Sequence, residues 1–181
     1  IPGKWNIDRL GNLITDSYSG GTPSTKNSSY WNGNVPWTTS AIIDDMDVRL
    51  GNYQKTITVS GLENSSSKIA PEGCIVIGTR VGVGKAIVPM LDIAMSQDLT
   101  ALITKSREDS IYIAHAFKSK KVQNQISSMV RGTTIKGIPR KDLLSIKIPL
   151  PPESSKKCIV YFIETLSRKI DAEIQQLNSL N

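Results

Sequence analysis

Gly132-Thr133-Thr134-Ile135-Lys136-Gly137-Ile138, then Ile148-Pro149-Leu150-Pro151-Pro152, then a helix whose apolar residues recur every three to four positions: this run decides how the chain is read. The glycine-bounded loop offers hydroxyls, backbone N–H groups and one cation at a single surface point. The proline run ends the preceding domain, since proline fixes φ and cannot continue a regular ladder. After it, Ile163, Ile170 and Leu177 lie seven apart, and Leu166, Glu173 and Leu180 form a second series. That is an a/d pattern with one polar interruption, the pattern of a coiled-coil-like helix. The expected organisation is therefore a domain over 1–150 and a helical rod over 151–181. In the rod, Ile163, Leu166, Ile170 and Leu177 are the candidate dimerisation strip.

Charge is concentrated around that loop. The formal net charge is +6. Residues 1–104 hold 8 Lys+Arg against 9 Asp+Glu, residues 105–147 hold 10 against 3, and residues 148–181 hold 4 against 4. A local excess of seven positive charges favours a polyanionic partner, although an ordinary solvated basic face accounts for charge alone equally well. An apolar content of 39% is enough for a core, and no run approaches the ~20 apolar residues of a membrane span. No leader peptide is visible, and the start at Ile1 points to processing, trimming or a fragment. Two distant cysteines, Cys74 in an apolar run and Cys158, fit a reducing cytoplasm better than a disulfide framework.

Upstream of the loop, turn residues recur: Gly20-Gly21, Asn32-Gly33-Asn34, Gly51-Asn52, Pro71-x-Gly73, Gly78, Gly82 and Gly84. Between them lie short β-rich runs at 54–59, 74–77, 85–88 and 99–103, with a later one at 144–148. The apolar run at 74–77 predicts a strand buried on both faces. Helical spacing predicts one helix over 110–130, a short one near Arg140, and the C-terminal helix from about 154 to 180. The fold class expected is α+β, with a twisted, mostly antiparallel sheet or partly closed barrel followed by the long helix.

Catalytic groups are scarce. His115 is the single histidine, set in a helical pattern, so neither zinc-ligand spacing nor a Ser-His or Cys-His arrangement exists. Asp44, Asp45 and Asp47 read as a solvated acidic loop beside Arg49. Gly82-Val83-Gly84-Lys85-Ala86 resembles a phosphate loop superficially, but the spacing from Gly78 is one residue too long, and Ala86 replaces the metal-holding hydroxyl. Nucleotide hydrolysis through Lys85 therefore fails on spacing, and a tight glycine turn is the better reading. No catalytic residue, metal ligand or cofactor is assigned. Trp5, Trp31 and Trp37 are expected to be core or hinge-packing residues.

The polar candidates are Arg131, Thr133, Thr134 and Lys136, with Arg80, Thr38, Ser40 and Gln97 behind them. Arginine reads guanine edges bidentately, glutamine reads adenine, and Ser, Thr and Lys serve phosphates or mixed contacts. In a chain with a basic segment and no catalytic centre, this set favours reading double-stranded DNA. The alternative is a protein-interaction adaptor acting through the C-terminal helix, which has no need of the basic segment.

These residues occur in a recognisable order. Trp5 with Leu10-Gly11, Gly20-Gly21-Thr22-Pro23-Ser24, Tyr30-Trp31-Asn32-Gly33, Val35-Pro36-Trp37, Gly61-Leu62, Pro71-x-Gly73, Gly82-x-Gly84-Lys85-Ala86, the Gly-Thr-Thr loop and the Pro-Leu-Pro-Pro run together resemble the specificity subunit of type I restriction–modification systems. The resemblance covers one target-recognition domain and the helix that follows it. Two positions depart from the pattern: Ser96 stands where Asn is usual before Gln97, and Ser154 where Gln is usual after Glu153. The resemblance implies a non-catalytic, cytoplasmic subunit that reads a bipartite DNA target. It also implies that the chain positions a methyltransferase subunit and, in restriction complexes, a nuclease/translocase subunit. With one recognition domain and one helix, the chain is either a half-size subunit that acts as a homodimer or a fragment of a longer chain.

Overall fold

The structure is a computed structural model that describes residues 5–43, 48–132 and 137–178. In chain order it contains β1 (Asn6–Arg9), α1 (Leu10–Leu13), β2 (Ile14–Ser19), β3 (Trp31–Thr38), β4 (Arg49–Leu50), β5 (Lys55–Ile57), α2 (Val59–Glu63) and β6 (Lys68–Ala70). There follow β7 (Ile75–Gly78), β8 (Ala86–Pro89), β9 (Ile93–Met95), β10 (Leu99–Thr104), α3 (Arg107–Phe117), α4 (Lys120–Met129), α5 (Arg140–Ser145), β11 (Lys147–Leu150) and α6 (Glu153–Asn178). Single 3₁₀ turns at Ser28–Tyr30 and Ser40–Ile42 flank β3.

Three sheets form. A five-stranded sheet has the order β2-β10-β7-β8-β4, a four-stranded sheet the order β5-β3-β9-β6, and β1 pairs with β11. All pairings are antiparallel except β3–β9 and β4–β8. The expected α+β class with mostly antiparallel strands is seen. Among the described residues no sheet closes on itself, so the partly closed barrel gives way to two open sheets. The physical reason lies in alternation along the central strands. On β7, Ile75 and Ile77 point into one core with Phe117, Val122, Ile126 and Leu143 from the helices. Val76 points into a second core with Met95 and Ile93 of the other sheet. A strand buried on both faces needs a layer on each side, which a helix layer and a second sheet supply. Beyond β9, Ala94 faces a third cluster with Trp37 and Ile57.

The single helix predicted over 110–130 is two. Lys118 turns its N–H onto the carbonyls of His115 and Ala116, and Ser119 caps α4 by accepting from the Val122 N–H. A residue whose side chain satisfies a new helix start competes locally with continuation of the old helix. Ser110 does not cap α3: it is buried and shares a 2.6 Å hydrogen bond with Thr104. The cap is Ser106, whose Oγ accepts from the Asp109 N–H at 3.1 Å. The strand expected over 144–148 is displaced to β11, because α5 consumes its first residues. The run at 54–59 is a strand only at β5, since Thr58 caps α2 through its hydroxyl.

Trp31 and Trp37 pack edge to face, with ring centroids 5.3 Å apart. Their indole N–H groups donate to the backbone of Ser24 and Gly21, which makes them packing residues as expected. Cys74 is buried and Cys158 exposed. Burial pushes the Cys74 thiol up to about 12; a backbone hydrogen bond opposes this, and a still smaller push from the Asp92 charge adds to it.

Helix α6 begins docked and continues exposed. Val160 is buried against the helical core. Buried Lys156 donates to Asp109 on α3 and, at 2.8 Å, pairs with Glu153. Farther along, Leu166, Ile170, Ile174 and Leu177 are exposed, by 48–63%. Ile163 is half-buried. The apolar stripe thus runs 163-166-170-174-177, with Ile174 continuing it where the heptad reading placed Glu173. Leu180 lies outside the described residues.

Burial alone would lower the Lys156 pKa, but hydrogen bonds to Asp109 and Glu153 and their negative charges outweigh it and raise it above 10.5. A raised lysine pKa stabilises the fold fully below the unfolded value and is lost as pH climbs through the folded value. Lys156→Met should therefore melt below wild type at neutral pH, and the two melting curves should converge as pH rises past 10.5. Circular dichroism melts across that range check this; a gap that stays constant would contradict it.

Candidate nucleic-acid interface

Two polar loops are latched together at one end of the central sheet. The first is the turn between β7 and β8. Gly84 donates to the Gly78 carbonyl at 3.0 Å, and Lys85 to that of Gly82 at 3.0 Å. Gly82 and Gly84 have φ of +60° and +85°, a region that side-chain-bearing residues avoid. This is the tight glycine turn expected, and it places exposed Arg80 at its edge. The second loop is the Gly-Thr-Thr segment. Arg131 and Gly137 exchange backbone hydrogen bonds of 2.9 Å and so close its base. Ile138 then donates to the Thr79 carbonyl at 2.9 Å, which fastens that base to the β7 end.

Between these loops and the start of β10 lies an open cleft of about 600 Å³, lined by Ser19, Thr79, Arg80, Gln97, Arg131 and Arg140 among others. Three of the sequence candidates, Arg80, Gln97 and Arg131, therefore meet at one place although up to 51 residues separate them. Gly132 and Gly137, which bound the loop, line the cleft as well. Thr133, Thr134 and Lys136 lie outside the described residues, as does the acidic run at 44–47.

Thr38 and Ser40 sit differently. They are 1% and 6% exposed. The Thr38 hydroxyl donates to the Thr39 carbonyl, while the Ser40 N–H and hydroxyl both donate to Asp98. Their geometry supports scaffolding rather than contact with a ligand. Asp98 also accepts from the Ser96 hydroxyl, and its backbone carbonyl accepts from the Thr79 N–H at 2.8 Å. One carboxylate thus fixes the Ser40 turn and the Ser96 turn relative to each other, and its backbone fixes Thr79. Gln97, exposed between Ser96 and Asp98, is oriented by the Thr22 hydroxyl, which donates to its Oε1.

Sequence reasoning passed over Arg140. It opens α5, lines the cleft, and donates to Ser19 Oγ at 3.2 Å. Its signal is its place in the basic segment, three residues past Gly137 at the start of the short helix. Arg131 pairs with Asp142 at 3.0 Å. The result is three guanidinium groups and one carboxamide around a single concave surface, a donor-rich site suited to phosphate oxygens and to acceptor edges of bases. His115 is half-buried on α3, away from this lining. Among the described residues no cluster of His, Cys, Asp and Glu could hold a metal ion, and no helix is long and apolar enough to cross a membrane.

Residues 2–181 match the type I restriction modification DNA specificity domain, and the chain belongs to that family. It is 26% identical over 174 residues to the type I restriction enzyme MjaIX specificity subunit of Methanocaldococcus jannaschii, covering 93% of this chain and 40% of that protein. It is 28% identical over 134 residues to the EcoKI specificity subunit of Escherichia coli, covering 70% of this chain and 29% of that protein. The chain thus spans less than half the length of these relatives. Its fold is similar to the HsdS subunit from Thermoanaerobacter tengcongensis (TM-score 0.62, 24% identity, 95% of this chain and 39% of that one). It is also similar to the S subunit of a type I restriction-modification system from M. genitalium (TM-score 0.66, 14% identity, 93% and 40%). As a specificity domain the chain is a recognition module and not a catalytic one.

The Asp98 tie can be tested without any ligand. Asp98→Ala leaves the Ser40 N–H and two hydroxyls without their acceptor and should cost about 2–3 kcal/mol in urea unfolding. Gln97→Ala, at an exposed position, should stay within about 0.5 kcal/mol of wild type. Equal effects would remove Asp98 from its organising role.

Proposed function

We propose that the chain reads a DNA target through the cleft face, with Arg80, Gln97, Arg131 and Arg140 directed at the duplex and Thr133, Thr134 and Lys136 completing the contact. The observation that carries this is the convergence of three arginines and Gln97, drawn from separate segments, on one concave surface that Gly132 and Gly137 also line. Arginine and glutamine are the side chains best matched to guanine and adenine edges in the major groove. The remaining cations serve phosphates, which set register and supply most of the salt-dependent affinity.

The second part of the proposal concerns α6. Beyond its docked first turns α6 carries an apolar stripe in which Ile163 is half-buried and Leu166, Ile170, Ile174 and Leu177 are exposed. We assign it to pairing with a second helix, from another copy or from a second recognition unit of a longer chain, and to docking of the methyltransferase subunit. A nuclease/translocase subunit joins in restricting complexes. The domain over 1–150 is the reader and 151–181 the spacer. Two readers held by paired helices read two half-sites at a set separation, so a symmetric pair reads a split palindrome.

Selection from a random duplex pool, with the chain alone and with its methyltransferase subunit, tests the reading. Enrichment of a bipartite palindrome supports a dimeric reader, and a single half-site supports one unit of a longer protein. No enrichment in either condition would return the chain to the protein-adaptor class. On the selected duplex, Arg80→Ala and Arg140→Ala should each weaken binding, and loss of one phosphate contact should lower the log–log salt slope by about 0.9. One heptad inserted into α6 adds about 10.5 Å, which should widen the unread spacer by about three base pairs. An unchanged spacer would exclude the helix as a ruler.

A further inference from the structure

We infer that Asp142 is a positioning residue for DNA specificity: it holds Arg131 so that one two-donor edge of the guanidinium is presented to the target. The inference rests on the DNA reading above and goes beyond it, since Asp142 does not line the cleft.

Arg131 is an exposed side chain, 74% accessible, at the mouth of a loop. An arginine in that position ordinarily samples many rotamers, and ordering them on binding costs affinity and blurs base choice. Here one terminal nitrogen, Nη2, lies 3.0 Å from Asp142 Oδ2. Asp142 stands on firm ground. It belongs to the first turn of α5, its neighbour Leu143 is fully buried in the helical core, and its own carbonyl accepts from the Ser145 hydroxyl at 2.7 Å. Its Oδ2 atom is shielded from water and accepts no aligned hydrogen bond, so the nearby guanidinium is the charge that compensates it. The backbone of Arg131 is held too, by the paired hydrogen bonds to Gly137.

A pair this exposed on the arginine side adds little to stability. Its effect on recognition is larger. Guanidinium carries five N–H donors in a rigid plane, arranged as two usable edges. The carboxylate beside Nη2 holds the guanidinium plane by charge from that side and leaves its N–H donors unspent, so a two-donor edge remains for the geometry that matches guanine O6 and N7. A lysine offers a point charge and cannot be held on one side while reading on the other. Removing the carboxylate also removes a negative charge that opposes phosphate, so nonspecific attraction should rise while discrimination falls. A residue with a purely structural part would move both together, through stability.

Binding of the full chain with its methyltransferase subunit to the selected duplex, to duplexes substituted one base pair at a time and to unrelated duplex provides the test. Asp142→Asn should reduce discrimination at one base-pair position by about ten-fold and leave the other positions unchanged. Affinity for unrelated duplex should be equal or higher, and the melting temperature near wild type. Arg131→Lys should lose discrimination at the same position while keeping its nonspecific affinity. It decides the matter should Asp142→Asn fold poorly. The double variant should be no less selective than Arg131→Lys alone. If Asp142→Asn keeps wild-type discrimination at every position, the positioning role is overturned while the DNA reading stands, whatever Arg131→Lys does. If wild type shows no preference between selected and unrelated duplex, the DNA reading falls and this inference with it.

Discussion

Burial of β7 on both faces is the constraint from which the rest of the molecule follows. Ile75 and Ile77 require a helical layer, and Val76 requires a second sheet. Once both are in place, the strand cannot slip by one residue without exchanging its two cores, so its register is set. The ends of β7 and β10 then deliver Thr79, Arg80, Gln97 and Asp98 to the same edge. The cleft proposed to read DNA is thus built on a strand whose register both cores fix, although its lining side chains are on loops. Rigid scaffold and exposed loop tips is the division of labour expected where side chains must meet a partner with fixed geometry.

Asp98 and the Ile138–Thr79 latch carry that rigidity outward. Asp98 ties the Ser40 and Ser96 turns with its carboxylate and Thr79 with its backbone. Thr79 in turn receives the loop that follows Gly137. A chain of short hydrogen bonds therefore links the buried sheet to the cleft rim. Buried hydroxyls such as Thr38 and Ser40 belong to this support, which explains why polar residues adjacent to the site in sequence are not at its surface. The composition of the rim matches the family assignment: a DNA specificity domain needs donors in fixed directions more than it needs a hydrophobic pocket.

Helix α6 answers to a different constraint. Its first turns are fixed by the Lys156 ion pairs and by Val160, and its later apolar residues Leu166, Ile170, Ile174 and Leu177 are exposed. The spacing 163-166-170-174-177 departs from a strict a/d heptad at one step, from 170 to 174, which is four residues where three are expected, while Ile163, Ile170 and Leu177 keep the seven-residue interval.

Much of this was legible from the residues alone. Strands at β7, β8 and β10, the glycine turn at Gly82 and Gly84, the packing tryptophans and the C-terminal helix all arise from local patterns: apolar runs, turn chemistry and helical periodicity act over a few residues. The basic segment and the ordered motifs likewise pointed to DNA and to the specificity family without coordinates. Tertiary structure decided what depends on residues far apart. It chose open sheets where the residues had left a sheet or a partly closed barrel, moved Thr38 and Ser40 inside and brought Arg140 to the cleft. The split of the 110–130 helix at Ser119 is a local cap that the helical periodicity did not register. For Ser40 and Arg140 the deciding energy is a contact across the fold, with Asp98 and with Ser19, and no local window of sequence contains both partners.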